Sequence, residues 1–430
     1  MIYNRASETM PGEDIEQLQI ERLQMTLNRV YRNVAFYREA FDAHGVNIER
    51  VKSLRDLREL PFTTKEDLVR SYPYGMFAVP LRDIVRIHSS SGTTGQQIVM
   101  GYTVNDIRNW SELVARLLTG GGVTNHDLVQ ISLNYSLFTG GFGYHYGAER
   151  IGASVIPASV TGDIEKQIMI MKDYKTTALV STPSYALMIA KAMSEMNIHP
   201  DTLYLKSGLF SAEPWSESVR ARIEEKLHIV ATDNYGLSEV MGPGVSGECQ
   251  EKNGLHVNED HFIVELVDPK TLKPLGPGVE GELIFTTITK EGFPLIRYRT
   301  GDMASLMGGD CVCGRTFVRM SRVTGRCDDM LLVNGVKVYP SQIEDALMKH
   351  EATLPPHRII ISRDNETDKI EIQVAIPGEI VLDEMKNLLH YQNQVQAAVE
   401  SAIGMSVKIT LAEPSTLGDG NGKSRVVDRR

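Results

Sequence analysis

The 430-residue chain has few of the features that mark secreted, membrane-spanning or nucleic-acid-binding proteins. It contains four cysteines, too few for the disulfide framework of a secreted scaffold. No apolar stretch approaches the ~18 uninterrupted residues that a transmembrane helix needs. Basic residues number 45 against 55 acidic ones, for a net charge of −10, and no segment concentrates Lys and Arg. We therefore expect neither nucleic acid nor a membrane as a partner.

The N-terminal segment MIYNRASETMPGEDIEQ is acidic and polar, whereas a secretory signal is basic and then apolar. We therefore expect a cytoplasmic protein whose thiols are free or bound to metal. With 42% hydrophobic and 23% charged residues, the composition is that of an ordinary globular protein. At ~150 residues per domain, the length fits three modest domains or one large and one small domain.

Short apolar runs that alternate with helix-length segments predict the main sheet. Between residues 128 and 232 these runs are LVQIS, SVIP, ALVST, LYLKSG and IVAT, an order that indicates βαβ units and a mostly parallel sheet. Between residues 261 and 289, Gly and Pro punctuate the runs, which predicts antiparallel hairpins on a smaller sheet. Apolar residues at helical spacing from 13 to 45 predict an amphipathic surface helix.

A third region begins near Val323 and predicts a small α+β unit of about 100 residues. Its apolar runs are RIIIS, IEIQVAI and SVKIT, and a helix-length segment separates the last two. We place the domain boundary so that residues 1–325 form the N-terminal domain and residues 326–430 the C-terminal one.

A loop made only of Ser, Thr and Gly follows the β-like run IVRIH. Its backbone N–H groups and hydroxyls suit phosphate oxygens, and its glycines permit close approach. It lacks the Lys of the GxxxxGK[ST] motif, which disfavours a kinase-type phosphate loop. A flexible turn is the alternative for such a loop. The residues are Ser89, Ser90, Ser91, Gly92, Thr93, Thr94 and Gly95.

Three further motifs carry charged groups suited to a nucleotide. In DNYGLSEVMGPG, Tyr235 offers a face to a base and Glu239 a carboxylate to Mg²⁺, unless the segment is a solvated helix start. In RYRTGD, Asp302 can accept both ribose hydroxyls or form a structural salt bridge in a turn. In the tail GDGNGK, Lys423 is either a mobile cation that reaches a site or an ordinary charged terminus.

Three of the four cysteines stand in two short segments that pair candidate metal ligands, one Cys with His and one Cys with Cys. Cys249 and His256 stand in CQEKNGLH, and Cys311 and Cys313 stand in CVCG, a spacing typical of paired thiolate ligands. One His and three Cys complete a tetrahedral set for structural zinc, with Cys327 left over. Two unrelated pairs of reduced thiols are the alternative.

The order of these motifs carries a family resemblance over nearly the whole chain. SSSGTTG, SAEP, YGLSE, RYRTGD, GRCDD and a final GK resemble, in order and separation, the adenylate-forming superfamily of acyl- and aryl-CoA ligases. The segments SLFTGGFGYHYGAE, GLFSAEPW, DNYGLSEVMGPGVSGEC and DDMLLVNGVKVYPSQIE resemble phenylacetate-CoA ligases in particular. This implies an α/β fold, with a large multi-sheet N-terminal domain and a small mobile α+β C-terminal domain.

The resemblance also implies a role for each motif. The Ser/Thr/Gly loop would grip the β and γ phosphates of ATP, Glu239 would hold Mg²⁺, and Lys423 would be the adenylation lysine. Asp328 would be the hinge of the C-terminal domain. The residues that border the nucleotide would be Ala212, Glu213, Pro214, Asp233, Tyr235, Gly236, Asp302 and Arg326.

The acyl pocket is expected in an aromatic and glycine-rich stretch. Tyr135, Phe138 and Phe142 would wall a flat pocket, unless they are plain core residues. Ser211 would border the same pocket, at a position where relatives usually carry glycine.

The function implied is ATP- and Mg²⁺-dependent activation of an aromatic, arylacetate-type acid such as phenylacetate, and transfer of its acyl group to CoA. AMP and pyrophosphate would be released. The alternatives are an acceptor that is a carrier-protein thiol or an amine, and a nucleotide-binding regulator without catalysis. The expected partners are small molecules, with structural Zn²⁺ as a further cofactor, and the oligomeric state stays open, a homodimer included.

Overall fold

The computed structural model describes residues 1–90, 97–160, 163–327, 329, 331–334, 336–349, 351, 354–364, 367–376, 385–417 and 425–429. The helices are α1 Arg5–Glu8, α2 Gly12–Asn33, α3 Ala35–Ala43, α4 Lys65–Arg70, α5 Val104–Gly120, α6 Gly140–Ile151, α7 Ile164–Asp173, α8 Pro183–Glu195, α9 Glu217–Leu227, α10 Pro340–Met348, α11 Met385–Ile403 and α12 Pro414–Leu417. Within these described ranges, no helix combines the length and the apolar character needed to cross a bilayer.

The strands alternate with these helices in the N-terminal part and dominate the middle of the chain. Their bounds are β1 Arg86–Ser89, β2 Val99–Tyr102, β3 Leu128–Ile131, β4 Ser154–Ile156, β5 Ala178–Ser181, β6 Ser207–Phe210, β7 Val230–Leu237, β8 Gly242–Glu248, β9 Leu255–Val257, β10 Phe262–Val267, β11 Glu280–Thr287, β12 Tyr298–Met307, β13 Arg319–Met320, β14 Gly325–Arg326, β15 Leu331–Val333, β16 Val336–Val338, β17 His357–Asp364, β18 Thr367–Ala375, β19 Lys408–Ala412 and β20 Arg425–Asp428.

One large sheet organises the N-terminal part. Its order is β10-β11-β12-β13-β9-β8-β7-β6-β5-β3-β4, with β14 paired to β12. Strands β3 to β7 are parallel and connected through helices, which confirms the predicted βαβ units. The predicted antiparallel hairpins are present in β10, β11 and β12. They continue the large sheet instead of forming a smaller one, because β7 pairs with β8 and joins the two halves.

The predicted surface helix over residues 13–45 is in fact two helices, α2 and α3. The backbone of Val34 between them is extended, with φ −114° and ψ 108°, and its side chain is fully buried. The change of direction lets Val30 of α2 and Phe41 of α3 enter the same core. Helical periodicity does not reveal such a break, because the apolar spacing continues through it.

The hairpin β1–β2 lies outside the large sheet and leads into α5. Thr103 caps α5 in a reciprocal capping box with Asp106. The fully buried Asp106 also accepts hydrogen bonds from the backbone N–H groups of Glu291 at 2.7 Å and Gly292 at 2.9 Å. These donors replace the water that a buried carboxylate loses, so the start of α5 and the turn at residues 290–292 are held together.

The C-terminal unit has its own four-stranded sheet, in the order β19-β18-β17-β20. Ile359, Ile372 and Val395 are fully buried in a separate core beneath it, formed with α10 and α11. This is the α+β architecture predicted from the sequence. The predicted boundary between residues 325 and 326 falls inside β14, whose Arg326 pairs with Asp302 of the large sheet.

Candidate nucleotide and acyl site

Three of the predicted nucleotide residues meet where β7, β12 and β14 come together. The Tyr235 hydroxyl donates to Asp302 Oδ2 at 2.7 Å, and Arg326 Nη1 donates to Asp302 Oδ1 at 2.8 Å. Burial raises the pKa of Tyr235 well above its usual value, and the Asp302 carboxylate raises it further. The salt bridge that was the alternative for Asp302 is therefore present, and a ribose would share this carboxylate with Tyr235 and Arg326.

Glu239 lies on the turn Ser238–Met241 between β7 and β8. The alternative of a helix start is wrong, because β7 runs on to Leu237 and the chain then reverses into β8. Gly236 makes the reversal possible, since a Cβ there would stand 2.0 Å from the carbonyl oxygen of Gly242. The turn therefore presents Glu239 at the end of a central strand, where open sheets bind ligands.

Tyr298 connects the Glu239 turn electrostatically to the Asp302 cluster. Burial raises the pKa of its phenol well above the usual value. The Glu239 carboxylate raises this pKa further, and the Arg326 guanidinium lowers it. Tyr235, which donates to Asp302, stands near the end of β7, just before the turn of Glu239, so the turn and the Asp302 cluster are joined by the end of one strand.

A buried lysine that sequence reasoning missed supports the Glu239 turn. Lys290 is 1% exposed, and its Nζ donates to the carbonyl of Val240 at 2.9 Å and to that of Glu239 at 3.3 Å. Burial lowers the pKa of Lys290 to about 7, opposed by the carboxylates of Asp106 and Glu239. The signal that could have found Lys290 is its place shortly before RYRTGD in a segment rich in apolar residues.

Only the first part of the Ser/Thr/Gly loop is described. Ser89 is buried at the end of β1, and Ser90 closes the base of the loop against Ile98. The Ser90 hydroxyl accepts the Ile98 N–H at 3.0 Å, and the Ser90 N–H donates to the Ile98 carbonyl at 3.0 Å. The predicted site residues that lie outside the described part of the chain are Ser91, Gly92, Thr93, Thr94, Gly95, Asp328 and Lys423.

The SAEP segment follows β6 and turns sharply. Ala212 has a positive φ of 72°, and both Ala212 and Pro214 are exposed. The Glu213 carboxylate accepts hydrogen bonds from Ser184 at the start of α8, from the hydroxyl at 2.8 Å and from the backbone N–H at 3.2 Å. Burial raises the pKa of Glu213. The Glu213 side chain therefore anchors the turn.

Asp233 lies on β7 beside a second buried carboxylate. Its backbone N–H donates to Glu248 Oε2 at 2.7 Å, and Arg220 Nη2 donates to both Glu248 oxygens, at 2.7 and 2.8 Å. Burial, together with the neighbouring Glu248 carboxylate, raises the pKa of Asp233 to about 7. The structure therefore places Asp233 inside a network of charged groups on the same strand as Tyr235.

Two of the three predicted pocket aromatics are in contact. The rings of Tyr135 and Phe142 meet edge to face, with centroids 5.3 Å apart, whereas Phe138 is 39% exposed. The guanidinium of Arg86 lies 5.3 Å from the Phe142 centroid and 4.6 Å from the Tyr146 centroid. Sequence reasoning missed Arg86 and Tyr146, although Arg86 stands just before the Ser/Thr/Gly loop.

Ser211 and two further missed residues border the same aromatic stretch. Ser211 is buried at the end of β6 and neighbours the phenol of Tyr144 on α6, whose pKa is raised by burial. His88 on β1 lies 5.9 Å from Phe142, centroid to centroid, and its Nδ1 is 3.0 Å from the Leu137 carbonyl. The predicted acyl pocket thus gathers side chains from β1, β6 and α6.

The four predicted zinc ligands form a cluster at the C-terminal end of β8, opposite to the Glu239 turn. The ligand atoms of Cys249, His256, Cys311 and Cys313 all lie within 4.8 Å of one another. Cys249 Sγ is 3.8 Å from Cys311 Sγ, and Cys313 Sγ is 3.4 Å from His256 Nε2. The three sulfurs and one imidazole nitrogen are the donor set that structural zinc prefers.

The electrostatics of the cluster differ from one ligand to the next. Burial raises the pKa of the Cys249 thiol to about 12 and lowers that of His256 to about 4. Burial also raises the pKa of Cys313, but hydrogen bonds with Arg315, Cys311 and Cys249 together outweigh it and leave the value below normal. Arg315 in turn pairs with buried Glu8 at 2.6 Å, so the cluster lies next to the contact that holds the N-terminal segment.

Comparisons with known proteins agree with this geometry. The model of the AMP-binding enzyme family matches residues 17–289, and that of the AMP-binding enzyme C-terminal domain matches residues 335–430. The chain is 44% identical over 425 residues to a phenylacetate-coenzyme A ligase of Aromatoleum evansii, with 97% of this chain and 95% of that protein covered.

Two crystal structures of a 2-hydroxyisobutyryl-CoA ligase match nearly the whole chain. One shows the postadenylation state in complex with R3-HIB-AMP, at 27% identity and a TM-score of 0.89, with 99% of this chain and 92% of that chain covered. The other shows the thioesterification state with 2-HIB-AMP and CoA, at 27% identity and a TM-score of 0.74, with the same shares covered. The conformation described here is therefore more similar to the postadenylation state.

Proposed function

Because the chain belongs to the phenylacetate-coenzyme A ligase family of AMP-binding enzymes, we propose that it activates an arylacetate-type acid such as phenylacetate with ATP and transfers the acyl group to CoA. The reaction releases AMP and pyrophosphate. The observation that carries the proposal is the convergence of Tyr235, Asp302 and Arg326 next to the turn of Glu239. This arrangement supplies an aromatic ring, ribose acceptors and a metal-binding carboxylate in one site.

The first half-reaction brings two anions together, because a carboxylate must attack the α-phosphate of ATP. Cations and preorganised donors lower such a barrier. Glu239 would hold Mg²⁺, whose charge would neutralise the phosphate oxygens. In this proposal Ser89 to Gly95 grip the β and γ phosphates, Asp302 binds the ribose, and Lys423 stabilises charge at the reacting carboxylate.

The second half-reaction requires a different arrangement, because the acyl-adenylate is a mixed anhydride that water would hydrolyse. A closed site followed by rearrangement protects it and then admits the thiol of CoA. In this proposal the C-terminal domain, residues 326–430, turns about Asp328 between the half-reactions. The greater similarity of the described conformation to a postadenylation state supports assigning it to the earlier step.

For the acyl group we propose a pocket walled by Tyr135 and Phe142 and bordered by Ser211. The edge-to-face contact of the two rings supports a flat, apolar surface of the kind that an aromatic acid needs. Phe138, which is 39% exposed, would lie at the rim.

We further propose that Cys249, His256, Cys311 and Cys313 hold a structural zinc ion. The convergence of four donor atoms, with no position left open for substrate, supports a structural role over a catalytic one. Zinc there would hold the turn of residues 311–315, from which Arg315 reaches Glu8. We place the enzyme in the cytoplasm, where ATP and CoA are available.

The function is tested by a screen of pyrophosphate release with aryl, arylacetic and short aliphatic acids, each with and without CoA. We expect release with arylacetic acids, and a thioester of CoA as the product when CoA is present. Release of pyrophosphate without thioester formation would favour a carrier-protein or amine acceptor. ATP binding with no release for any acid would favour the regulatory alternative.

A further inference from the structure

Two side chains that are absent from the predicted site hold the turn that carries Glu239. Lys290 Nζ lies 3.3 Å from the Glu239 carbonyl and 2.9 Å from the Val240 carbonyl. The Tyr102 hydroxyl lies 3.4 Å from the Ser238 carbonyl and 3.0 Å from the Met241 carbonyl. All four carbonyls of the turn Ser238–Met241 therefore face one ammonium and one hydroxyl, which fixes the backbone on both sides of Glu239.

The Lys290 ammonium is deeply buried, and burial lowers its pKa to about 7, but nearby carboxylates and aromatic rings stabilise the charged form. The rings of Tyr102 and Phe293 lie 4.5 and 5.4 Å from Lys290 Nζ, centroid to nitrogen. An apolar side chain of similar length would fill the same space without the desolvation cost of a buried charge. Packing alone therefore does not account for a lysine at this position, whereas binding to the carbonyls of the turn does.

Tyr102 also connects the Glu239 turn to β1 and β2, the strands that precede and follow the Ser/Thr/Gly loop. Tyr102 ends β2 and pairs with Arg86 of β1, the strand from which the Ser/Thr/Gly loop begins. Asp106, at the start of the next helix, accepts the N–H groups of Glu291 and Gly292 and thereby fixes the backbone beside Lys290. Polar contacts thus connect the Glu239 turn, through Tyr102, with β1 and β2.

We propose that Lys290 is a positioning residue of the magnesium–nucleotide site: with Tyr102, it fixes the backbone of the turn Ser238–Met241, which carries Glu239. The inference rests on the proposed function, because the role of Glu239 belongs to it. Lys290 acts through the backbone of the turn and does not touch the reacting atoms.

The test compares Lys290→Met with Lys273→Met, which removes an exposed lysine and serves as the matched control. The dissociation constant of Mg²⁺–ATP is measured by calorimetry without acid and should rise in Lys290→Met but not in Lys273→Met. The adenylation half-reaction of the full chain is titrated with Mg²⁺ at fixed ATP, and thioester formation is measured separately from supplied acyl-adenylate. Losing the charged hydrogen bonds of Lys290 should raise the Mg²⁺ concentration for half-maximal adenylation about tenfold or more. The KM for the acid and the rate of thioester formation should stay within about twofold of the wild type, as should every parameter of Lys273→Met.

Tyr102→Phe is the second variant, because it keeps the ring beside Lys290 and removes the hydroxyl alone. It should shift the Mg²⁺ curve in the same direction by about threefold, the effect of one neutral hydrogen bond. A folded Lys290→Met with the wild-type Mg²⁺ curve, or with both half-reactions slowed equally, overturns the proposal. If Lys290→Met does not fold, an unchanged Mg²⁺ curve in Tyr102→Phe overturns it.

The wild-type protein separates this proposal from the proposed function. If the wild type neither releases pyrophosphate with any acid nor binds Mg²⁺ and ATP, both proposals fail. If the wild type is an active ligase and the variants keep its Mg²⁺ dependence, the positioning role alone fails.

Discussion

The two ends of β8 carry buried polar sites that differ in the groups that organise them: a protein cation at one end and a set of candidate metal ligands at the other. At the start of β8, the Lys290 ammonium donates hydrogen bonds to the backbone carbonyls of the Glu239 turn. At its other end, Cys249 begins a cluster whose members are three thiols and one imidazole, with a lowered pKa on His256. One site is organised without a metal and leaves its carboxylate for a ligand, whereas the other offers a complete ligand set that an external cation would fill.

This difference determines what each site is suited for. A turn held by protein side chains keeps its backbone conformation when the substrate leaves. An enzyme that binds a nucleotide in every catalytic cycle requires such a preorganised site. A closed set of four ligands exchanges its metal slowly and contributes to folding. The predictions that follow test the two ends of β8 separately, in order of expected effect.

The largest effect is expected at the nucleotide end from Lys423→Ala. The lysine lies outside the described residues, and its role follows from the family resemblance. Losing a preorganised cation at the reacting carboxylate should slow adenylation ~10²–10³-fold. Thioester formation from supplied acyl-adenylate should survive, since no such charge develops in that step. Single-turnover measurements of both half-reactions would contradict the assignment if Lys423→Ala slowed them equally.

Asp328→Pro should have the opposite effect on the two half-reactions and is measured in the same experiment. Proline fixes φ and impedes rotation at the proposed hinge, so thioester formation should fall while adenylation persists. If Asp328→Pro affects adenylation alone, residue 328 is not the hinge.

The next effect is expected at the cysteine end of β8. Cys249→Ser combined with Cys311→Ser should abolish zinc binding, which we expect at about one ion per chain, and lower the free energy of unfolding by ~3 kcal/mol or more. The KM for ATP should change little, because the cluster lies at the end of β8 opposite to the Glu239 turn. Elemental analysis and urea unfolding measure both, with Cys327→Ser as the control that should keep its zinc. A wild-type protein without zinc would refute the metal site.

A smaller effect is expected from Ser211→Gly in the acyl pocket. In the proposed pocket the buried hydroxyl would narrow or polarise the space for the acyl group, and a misfit of one methylene or hydroxyl is worth ~1–3 kcal/mol of discrimination. The ratios of kcat/KM across bulkier and hydroxylated arylacetates should therefore change, whereas the KM for ATP should not. Identical substrate profiles for the variant and the wild type would place Ser211 outside the pocket.

The smallest effect is a pH dependence that arises at Asp233 of β7, beside Glu248 at the cysteine end of β8. Burial raises the pKa of Asp233 to about 7, whereas the unfolded chain titrates near ~3.9. The folded state therefore binds an additional proton between these values, and the free energy of unfolding falls as pH rises through them. Asp233→Asn should remove this contribution and flatten the dependence by at most ~1.4 kcal/mol per pH unit. Parallel unfolding curves of both proteins from pH 5 to 8 would contradict it.

Much of the architecture could be predicted because its signals are local in the chain. Apolar runs at strand spacing, separated by helix-length segments, predicted the parallel half of the sheet. The motif order predicted the family, and the resemblance placed Tyr235, Asp302 and Arg326 around one nucleotide; the structure brings these three side chains into contact. The spacing of Cys311 and Cys313, with Cys249 and His256, predicted a cluster that the structure brings together, while metal binding itself stays a prediction.

The sequence by itself determined residue types, periodicity and motif order, and these suffice for the fold class and for side chains that act through their own chemistry. Tertiary structure alone decided the break at Val34 and the contacts of Lys290 and Arg86. Lys290 meets carbonyls 50 and 51 positions away in the chain. Its role depends on loss of water and on donor and acceptor geometry, which arise only when distant segments pack together, so no local pattern records them.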